Sequence, residues 1–137
     1  MSLAIENLIP HRAPMCWITA LTGCTETTAT ATANFSENDF AVVDGKVLET
    51  ALVECVAQTV AAALGQRAQA GGAQSGAVAN GMLVAAANFK IRSRPAAGRT
   101  LHIEIRETKR LGPMLLITGT IVCDGEKIAG GELSLYA

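Results

Sequence analysis

The stretch VLETALVECVAQTVAAALGQ, from Val47 to Gln66, is apolar on almost every side when it is wound as a helix. From Thr50 onward its only charged residue is Glu54, and Gln58 follows one turn later. A helix of this kind is buried rather than laid along a surface. Its length, and its interruption by Glu54 and Gln58, argue against a membrane span. We therefore expect the central helix of a single domain, with the remaining chain wrapped around it.

Alternating residues on both sides of this helix predict β-strands. The clearest case is Thr28 to Ala33, where threonines alternate with alanines that are small enough to let a helix approach closely. The predicted strands are Met15–Leu21, Thr25–Asn34, Met82–Arg94, Leu101–Glu107, Met114–Cys123 and Lys127–Tyr136. Asp44 or Gly45 is the expected N-cap of the helix. One long helix on a curved antiparallel sheet of about six strands is an α+β architecture, here as one domain over residues 1–137.

Composition and charge exclude several classes of protein. The net charge is −1, which gives no electrostatic case for nucleic-acid binding. The four cysteines contain no CxxC pair, and the first residues, MSLAIENLIPHR, lack the pattern of a signal peptide. Neither GxxxxGK nor GxGxxG is present. We therefore expect a cytoplasmic protein with reduced thiols, no metal and no cofactor.

Glu54 is the residue that most needs a function. A buried carboxylate is costly unless it is paired, hydrogen-bonded or protonated. Gln58 lies on the same face of the helix and is expected to orient it. His11 sits between two prolines and is the second candidate, although it could simply hold the N-terminal segment against the sheet. His102 alternates with core residues and is expected to face outward.

Two motifs resemble a known family. LIPHRAPM, from Leu8 to Met15, resembles the LPHRxPM start of hotdog-fold 3-hydroxyacyl-(acyl carrier protein) dehydratases. ECVAQ, from Glu54 to Gln58, matches their ExxAQ, and the strand lengths from Met82 to Leu135 are also similar. The aryl-polyene-type subgroup is the most similar. The resemblance covers nearly the whole chain and implies a hotdog fold, with a long central helix wrapped by the sheet.

The resemblance also implies a reaction and its residues. Family members dehydrate 3-hydroxyacyl thioesters of acyl carrier protein in fatty-acid or polyene-type biosynthesis, using a histidine paired with the helix glutamate. That histidine position falls on Phe40 here, so the implied catalytic residues are Glu54 and His11. Backbone N–H groups at Thr50 and Ala51 are expected to polarise the thioester carbonyl.

The resemblance further implies where the substrate binds and what the chain assembles with. Lys90, Arg92 and Arg94 alternate along one predicted strand, followed by Arg99, and related proteins have this strand beside the entrance of the acyl tunnel. These cations are either solubilising or attract an acyl carrier protein or CoA thioester. We expect a homodimer or higher oligomer, or a heterodimer with another hotdog subunit.

Two other functions fit the same residues. A hotdog acyl thioesterase could use Glu54 to attack a thioester or to direct water at it, without a histidine. Alternatively, the chain could be a non-catalytic subunit of a heteromeric dehydratase. A His11 within reach of Glu54 would favour dehydration. A Glu54 alone in a wet cleft would favour hydrolysis, and a Glu54 sealed by apolar groups would favour the structural subunit.

Overall fold

The computed structural model describes residues 5, 8–9, 16–70 and 82–136. The expected site residue His11 lies outside these residues, as does most of the segment that contains it. The elements in chain order are β1 (Ile18–Cys24), β2 (Thr28–Ala33), β3 (Val42–Val43), β4 (Lys46–Val47), α1 (Glu49–Ala70), β5 (Met82–Ile91), β6 (Leu101–Leu111), β7 (Met114–Cys123) and β8 (Glu126–Tyr136).

Six of the strands form one antiparallel sheet in the order β1-β2-β6-β7-β8-β5. The two short strands β3 and β4 make a separate hairpin just before the helix. This arrangement confirms the expected α+β architecture of one long helix on a six-stranded sheet. Among the described residues, no helix is long and apolar enough to cross a membrane.

The helix is buried against the sheet because the facing side chains are small. Ala29, Ala31 and Ala33 of β2 are each at most 2% exposed and line the inner face of the sheet, as their alternation predicted. On β7, a side chain at Gly119 would overlap the side chain of Val56 in the helix. The helix can therefore lie close to the sheet along its length, with Val56 and Leu52 fully buried.

The start of the helix differs from the prediction. Asp44 and Gly45 do not cap it; they form the two-residue turn between β3 and β4, with φ of 54° and 76°. Positive φ at both central residues is the signature of a type I′ hairpin, which Asp-Gly favours. The helix begins at Glu49, after Leu48, whose carbonyl accepts a hydrogen bond from the Ala51 N–H at 3.1 Å. The expected cap at Asp44 or Gly45 was therefore wrong.

The edge strand β5 also departs from simple alternation. Asn88 has a φ of 54°, and the register with β8 shifts between Ala87 and Lys90, which marks a bulge. The strand ends at Ile91, three residues before the predicted end at Arg94. The Arg94 side chain consequently turns toward the β3–β4 hairpin rather than continuing the row of Lys90 and Arg92.

Candidate functional site

Glu54 lies half-buried in the second turn of the helix and is held by Gln58. Gln58 is completely buried, and its Nε2 donates to Glu54 Oε1 at 3.4 Å. Its Oε1 accepts from the backbone N–H of Trp17 at 3.0 Å and of Ile18 at 3.4 Å. The contact that the sequence predicted between Gln58 and Glu54 is thus present. Its catalytic meaning stays a prediction.

A second carboxylate, that of Asp39, is linked to Gln58 by Trp17, which hydrogen-bonds both residues. The indole Nε1 of Trp17 donates to Asp39 Oδ1 and Oδ2 at 3.3 and 3.2 Å. Asp39 Oδ1 also accepts the backbone N–H of Ala41 at 2.9 Å, which fixes the carboxylate. Sequence reasoning missed this pair because Trp17 and Asp39 are distant in the chain, and no spacing connects a strand residue with a polar loop.

Phe40 is the residue at which the resemblance to dehydratases places their histidine. Its side chain is 57% exposed, and its ring centroid lies 5.6 Å from that of Trp17. A phenyl ring has no ionisable group, so it cannot exchange a proton with a substrate. His102, the one histidine among the described residues, is exposed on β6, in the outward position that its alternation predicted. Phe40 has no imidazole, and that of His102 faces away from the core. Neither residue therefore supplies an imidazole to Glu54.

The thiol of Cys55, next to Glu54, is not set up as a nucleophile. Burial raises the pKa of Cys55 well above its usual range, and the negative charges of Glu54, Asp39 and Cys16 raise it further. A thiol with a raised pKa stays protonated at neutral pH and reacts poorly. Cys55 is therefore a core residue and not a candidate nucleophile.

The first turn of the helix contains Thr50 and Ala51, whose backbone N–H groups were predicted to polarise a thioester carbonyl. Helix-start N–H groups have no acceptor within the helix and carry partial positive charge. The Ala51 N–H already donates to Leu48, whereas Thr50 lies on the exposed side of this turn. Thr50 is thus the better placed of the two for an external carbonyl, and the binding role of both residues stays a prediction.

The basic residues expected to bind substrate are not all alike. Lys90 and Arg92 are exposed and line a groove of about 500 Å³ together with Lys127. Arg94 instead donates to the backbone carbonyls of the β3–β4 hairpin, and Arg99 pairs with Asp124 at 3.5 Å. A role in substrate binding remains a prediction for Lys90, Arg92 and Arg94.

Solved structures with the same architecture identify the fold. The chain is similar to the dehydratase heterocomplex ApeI:P from Xenorhabdus doucetiae, with a TM-score of 0.87 and 20% identity, covering 98% of this chain and 90% of that one. It is also similar to the HP0420 homologue from Helicobacter felis, with a TM-score of 0.74, 13% identity and coverages of 98% and 89%.

A third similar structure is a hypothetical thioesterase with coenzyme A from Streptococcus pneumoniae TIGR4. Its TM-score is 0.68 at 8% identity, and the match covers 85% of each chain. These similarities confirm the expected hotdog fold. At such identities they show the fold alone.

Comparison of sequences assigns the chain to a family, whereas the structural similarities identify only its fold. A search of curated proteins gave no match. The sequence model of the ApeP-like family, described as ApeP dehydratase, matches residues 3–137, which is nearly the whole chain. This match confirms the dehydratase resemblance that the motifs around His11 and Glu54 indicated. The hotdog architecture and the family match agree, and the chain belongs to the ApeP-like dehydratase family.

Proposed function

We propose that this protein takes part in the dehydration of 3-hydroxyacyl thioesters of acyl carrier protein, with Glu54 as a proton-transfer residue. The observation that carries the proposal is the position of Glu54: half-buried on the central helix and hydrogen-bonded by the fully buried Gln58. A carboxylate anchored in this way meets a substrate with a fixed orientation.

The reaction requires two proton transfers. A base removes the C2 proton, and an acid protonates the C3 hydroxyl, which leaves as water and gives the enoyl thioester. Glu54 supplies one of these roles, and the Thr50 N–H at the start of the helix polarises the thioester carbonyl. Because Phe40 cannot serve as the second group, we assign that role to His11 of this or a neighbouring chain.

One experiment tests the roles of Glu54 and His11, with His102 as the control. Purified protein is given 3-hydroxyacyl thioesters on carrier protein and on CoA, and enoyl formation is followed by absorbance. Glu54→Gln should lower the rate by about 10²- to 10⁴-fold, the usual contribution of a general acid or base. His11→Gln should cause a comparable loss. His102→Gln is the matched control, because His102 is exposed on β6, and it should retain full activity.

The same assay tests hydrolysis. Free thiol is measured in parallel with saturated acyl thioesters, which cannot be dehydrated. Release of thiol from these substrates, lost in Glu54→Gln but kept in His11→Gln, would contradict dehydration and indicate a thioesterase.

A second candidate function is that of a non-catalytic subunit in a heteromeric dehydratase. The exposed Phe40 at the histidine position favours it, and a similar solved structure is described as a dehydratase heterocomplex. If the parent chain has no turnover alone, it is mixed with a histidine-containing hotdog dehydratase. Equal turnover with the parent and with Glu54→Gln would identify the non-catalytic role, whereas dependence on Glu54 would place this carboxylate in the shared site.

A further inference from the structure

Trp17 joins the loop that precedes the helix to the helix itself. Its backbone N–H donates to Gln58 Oε1 at 3.0 Å, and its indole Nε1 donates to the two carboxylate oxygens of Asp39 at 3.3 and 3.2 Å. The residue is 7% exposed, and its ring centroid lies 5.7 Å from that of Phe35 and 5.6 Å from that of Phe40. A ring that is packed against two others and hydrogen-bonded at its nitrogen has little freedom to turn. Trp17 therefore holds Asp39 and Gln58 in a fixed relation.

The Asp39 carboxylate also fixes the turn that follows it. Its Oδ1 accepts the backbone N–H of Ala41 at 2.9 Å, and the Asp39 carbonyl accepts the N–H of Val42 at 3.0 Å. An aspartate that binds the N–H two residues further on closes an Asx turn, which orders the backbone around it. The conformation of the chain on both sides of Phe40 therefore depends on this carboxylate.

The same turn is hydrogen-bonded to the start of the helix. The Ala41 carbonyl accepts the N–H of Leu48 at 2.8 Å, and the Leu48 carbonyl accepts that of Ala51 at 3.1 Å. The helix begins directly after Leu48, at Glu49. The turn consequently holds the first residues of the helix, where the Thr50 N–H is proposed to meet the thioester carbonyl.

Two series of hydrogen bonds thus start at Asp39 Oδ1 and reach two parts of the candidate site. One passes through Trp17 and Gln58 to the Glu54 carboxylate. The other follows the turn to the start of the helix. Burial raises the pKa of Cys55, and the negative charges of Glu54 and then Asp39 raise it further, so both carboxylates lie near this one thiol.

We infer that Asp39 is a positioning residue, which fixes the Glu54 carboxylate relative to the backbone donors at the start of the helix. The inference rests on the proposed function, in which Glu54 transfers a proton while the Thr50 N–H polarises the carbonyl of the same thioester. The rate of such a reaction depends on the spacing of the two groups, because a displacement of about 1 Å can lower it about 10²-fold. Asp39 acts through Trp17 and the turn rather than on the substrate.

Turnover by two Asp39 variants tests the inference in whichever assembly is active, the chain alone or its mixture with a histidine-containing hotdog dehydratase. Asp39→Ala removes the acceptor and should lower kcat by about 10- to 100-fold, the scale of loss from small misplacements. KM should change little, because Asp39 does not contact the substrate. Asp39→Asn should keep most of kcat, since its carbonyl oxygen still accepts from Trp17 and Ala41. The matched control is Glu37→Ala, which removes an exposed carboxylate from the same loop and should leave kcat unchanged.

Nuclear magnetic resonance tests the same link without turnover. Trp17 is the only tryptophan of the chain, so its indole N–H gives a single resonance. Asp39→Ala should shift this resonance and speed its exchange with solvent. It should also shift the side-chain NH₂ resonances of Gln58, which are identified by their absence in Gln58→Glu. Glu37→Ala should leave both sets of resonances in place.

Several results would overturn the inference. Equal losses of kcat in Asp39→Asn and Asp39→Ala would mean that the charge matters rather than the hydrogen bonds, and an unchanged kcat in Asp39→Ala would exclude any role. If Asp39→Ala does not fold, Trp17→Phe takes its place, because it removes the indole N–H but keeps an aromatic ring, and an unchanged kcat there would have the same meaning. If no assembly turns over, the proposed function fails by itself. The Gln58 resonances then still decide whether Asp39 positions this side chain: a shift in Asp39→Ala supports the link, and no shift overturns it.

Discussion

Gln58 donates to Glu54 across one turn of the helix, with 3.4 Å between Nε2 and Oε1. The direction of this hydrogen bond follows from the other end of the same amide. Gln58 Oε1 accepts from the backbone N–H groups of Trp17 and Ile18, so the NH₂ group must face the carboxylate. The chain entering β1 therefore fixes the orientation of a helix side chain that touches the proposed catalytic group.

Gln58→Leu should destabilise the protein as well as release Glu54. The change leaves the buried N–H groups of Trp17 and Ile18 without this acceptor, at a cost of about 1–3 kcal/mol. Urea unfolding followed by circular dichroism measures the loss. Gln66→Leu, at a half-buried position of the same helix, is the control and should cost less. Equal stabilities of the two variants would contradict the anchoring role.

Cys55 should make stability depend on pH in the alkaline range. Burial and neighbouring negative charges raise its pKa in the folded state, so the folded protein holds this proton more tightly than the unfolded chain. The stabilisation is complete below the unfolded pKa of about 8.5 and is lost as pH rises above it. Between about pH 7.5 and 9.5, the free energy of unfolding should fall by about 1.4 kcal/mol from this thiol alone.

Urea unfolding at both pH values checks this fall, with Cys55→Ala as the comparison. The alanine variant lacks the thiol and should show a correspondingly smaller fall. An identical pH dependence in the two proteins would mean that Cys55 ionises as easily in the folded protein as in the unfolded chain.

Gly65→Ala should be destabilising, although alanine normally favours a helix over glycine by about 1 kcal/mol. A side chain at Gly65 would overlap the backbone carbonyl of Leu8, which packs there fully buried. Thermal unfolding should therefore show a lower Tm. Ala68→Gly, at an exposed position of the same helix, should cost only about the usual propensity difference. A higher Tm for Gly65→Ala would refute the close approach of Leu8.

The homodimer expected from the sequence should form through β5, which lies at one edge of the sheet and exposes Ala86. Edge strands pair readily, and a lysine on the edge prevents such pairing. Ala86→Lys should therefore shift sedimentation at micromolar concentration from dimer to monomer. Thr19→Lys places the same charge on β1, the opposite edge, and should leave the dimer intact. The reverse pattern would place the interface at β1.

Arg94 and Arg92 should respond differently to substitution by glutamine. Arg94 donates to the carbonyls of Val47, Val43 and Lys46 at 2.9, 3.0 and 2.9 Å. Removing this side chain should lower the free energy of unfolding by about 1–3 kcal/mol. Arg92 is exposed and unpaired among the described residues, so Arg92→Gln should leave stability unchanged. Equal losses would mean that the hairpin does not depend on Arg94.

Local patterns predicted the elements of this fold well, because each depends on neighbouring residues. The alternation in β2 is an example. Between β7 and β8, Asp124 and Gly125 both have positive φ, as a type I′ hairpin requires. The same Asp-Gly signal at Asp44–Gly45 was present but was interpreted as a helix cap. The hydrophobic run that follows it suggested an earlier start of the helix than Glu49.

The candidate site was less predictable, because its contacts join distant parts of the chain. Glu54 and Gln58 lie one turn apart, so helical geometry alone predicts their contact. The bond from Trp17 to Asp39 and those from Arg94 to the hairpin depend on how separate elements pack. The bulge at Asn88, which redirects the end of β5, has no comparable signal in the alternation around it.

The place of β5 in the sheet has a consequence during synthesis on the ribosome. Its neighbour is β8, which is translated only after β6 and β7. The ten residues of β5 therefore emerge as an unpaired strand, and they stay unpaired while β6, β7 and β8 are synthesised. A nascent chain that stalls before Glu126 would expose this strand to other chains. β8, which is translated after β6 and β7, thus protects the earlier strand β5 from aggregation.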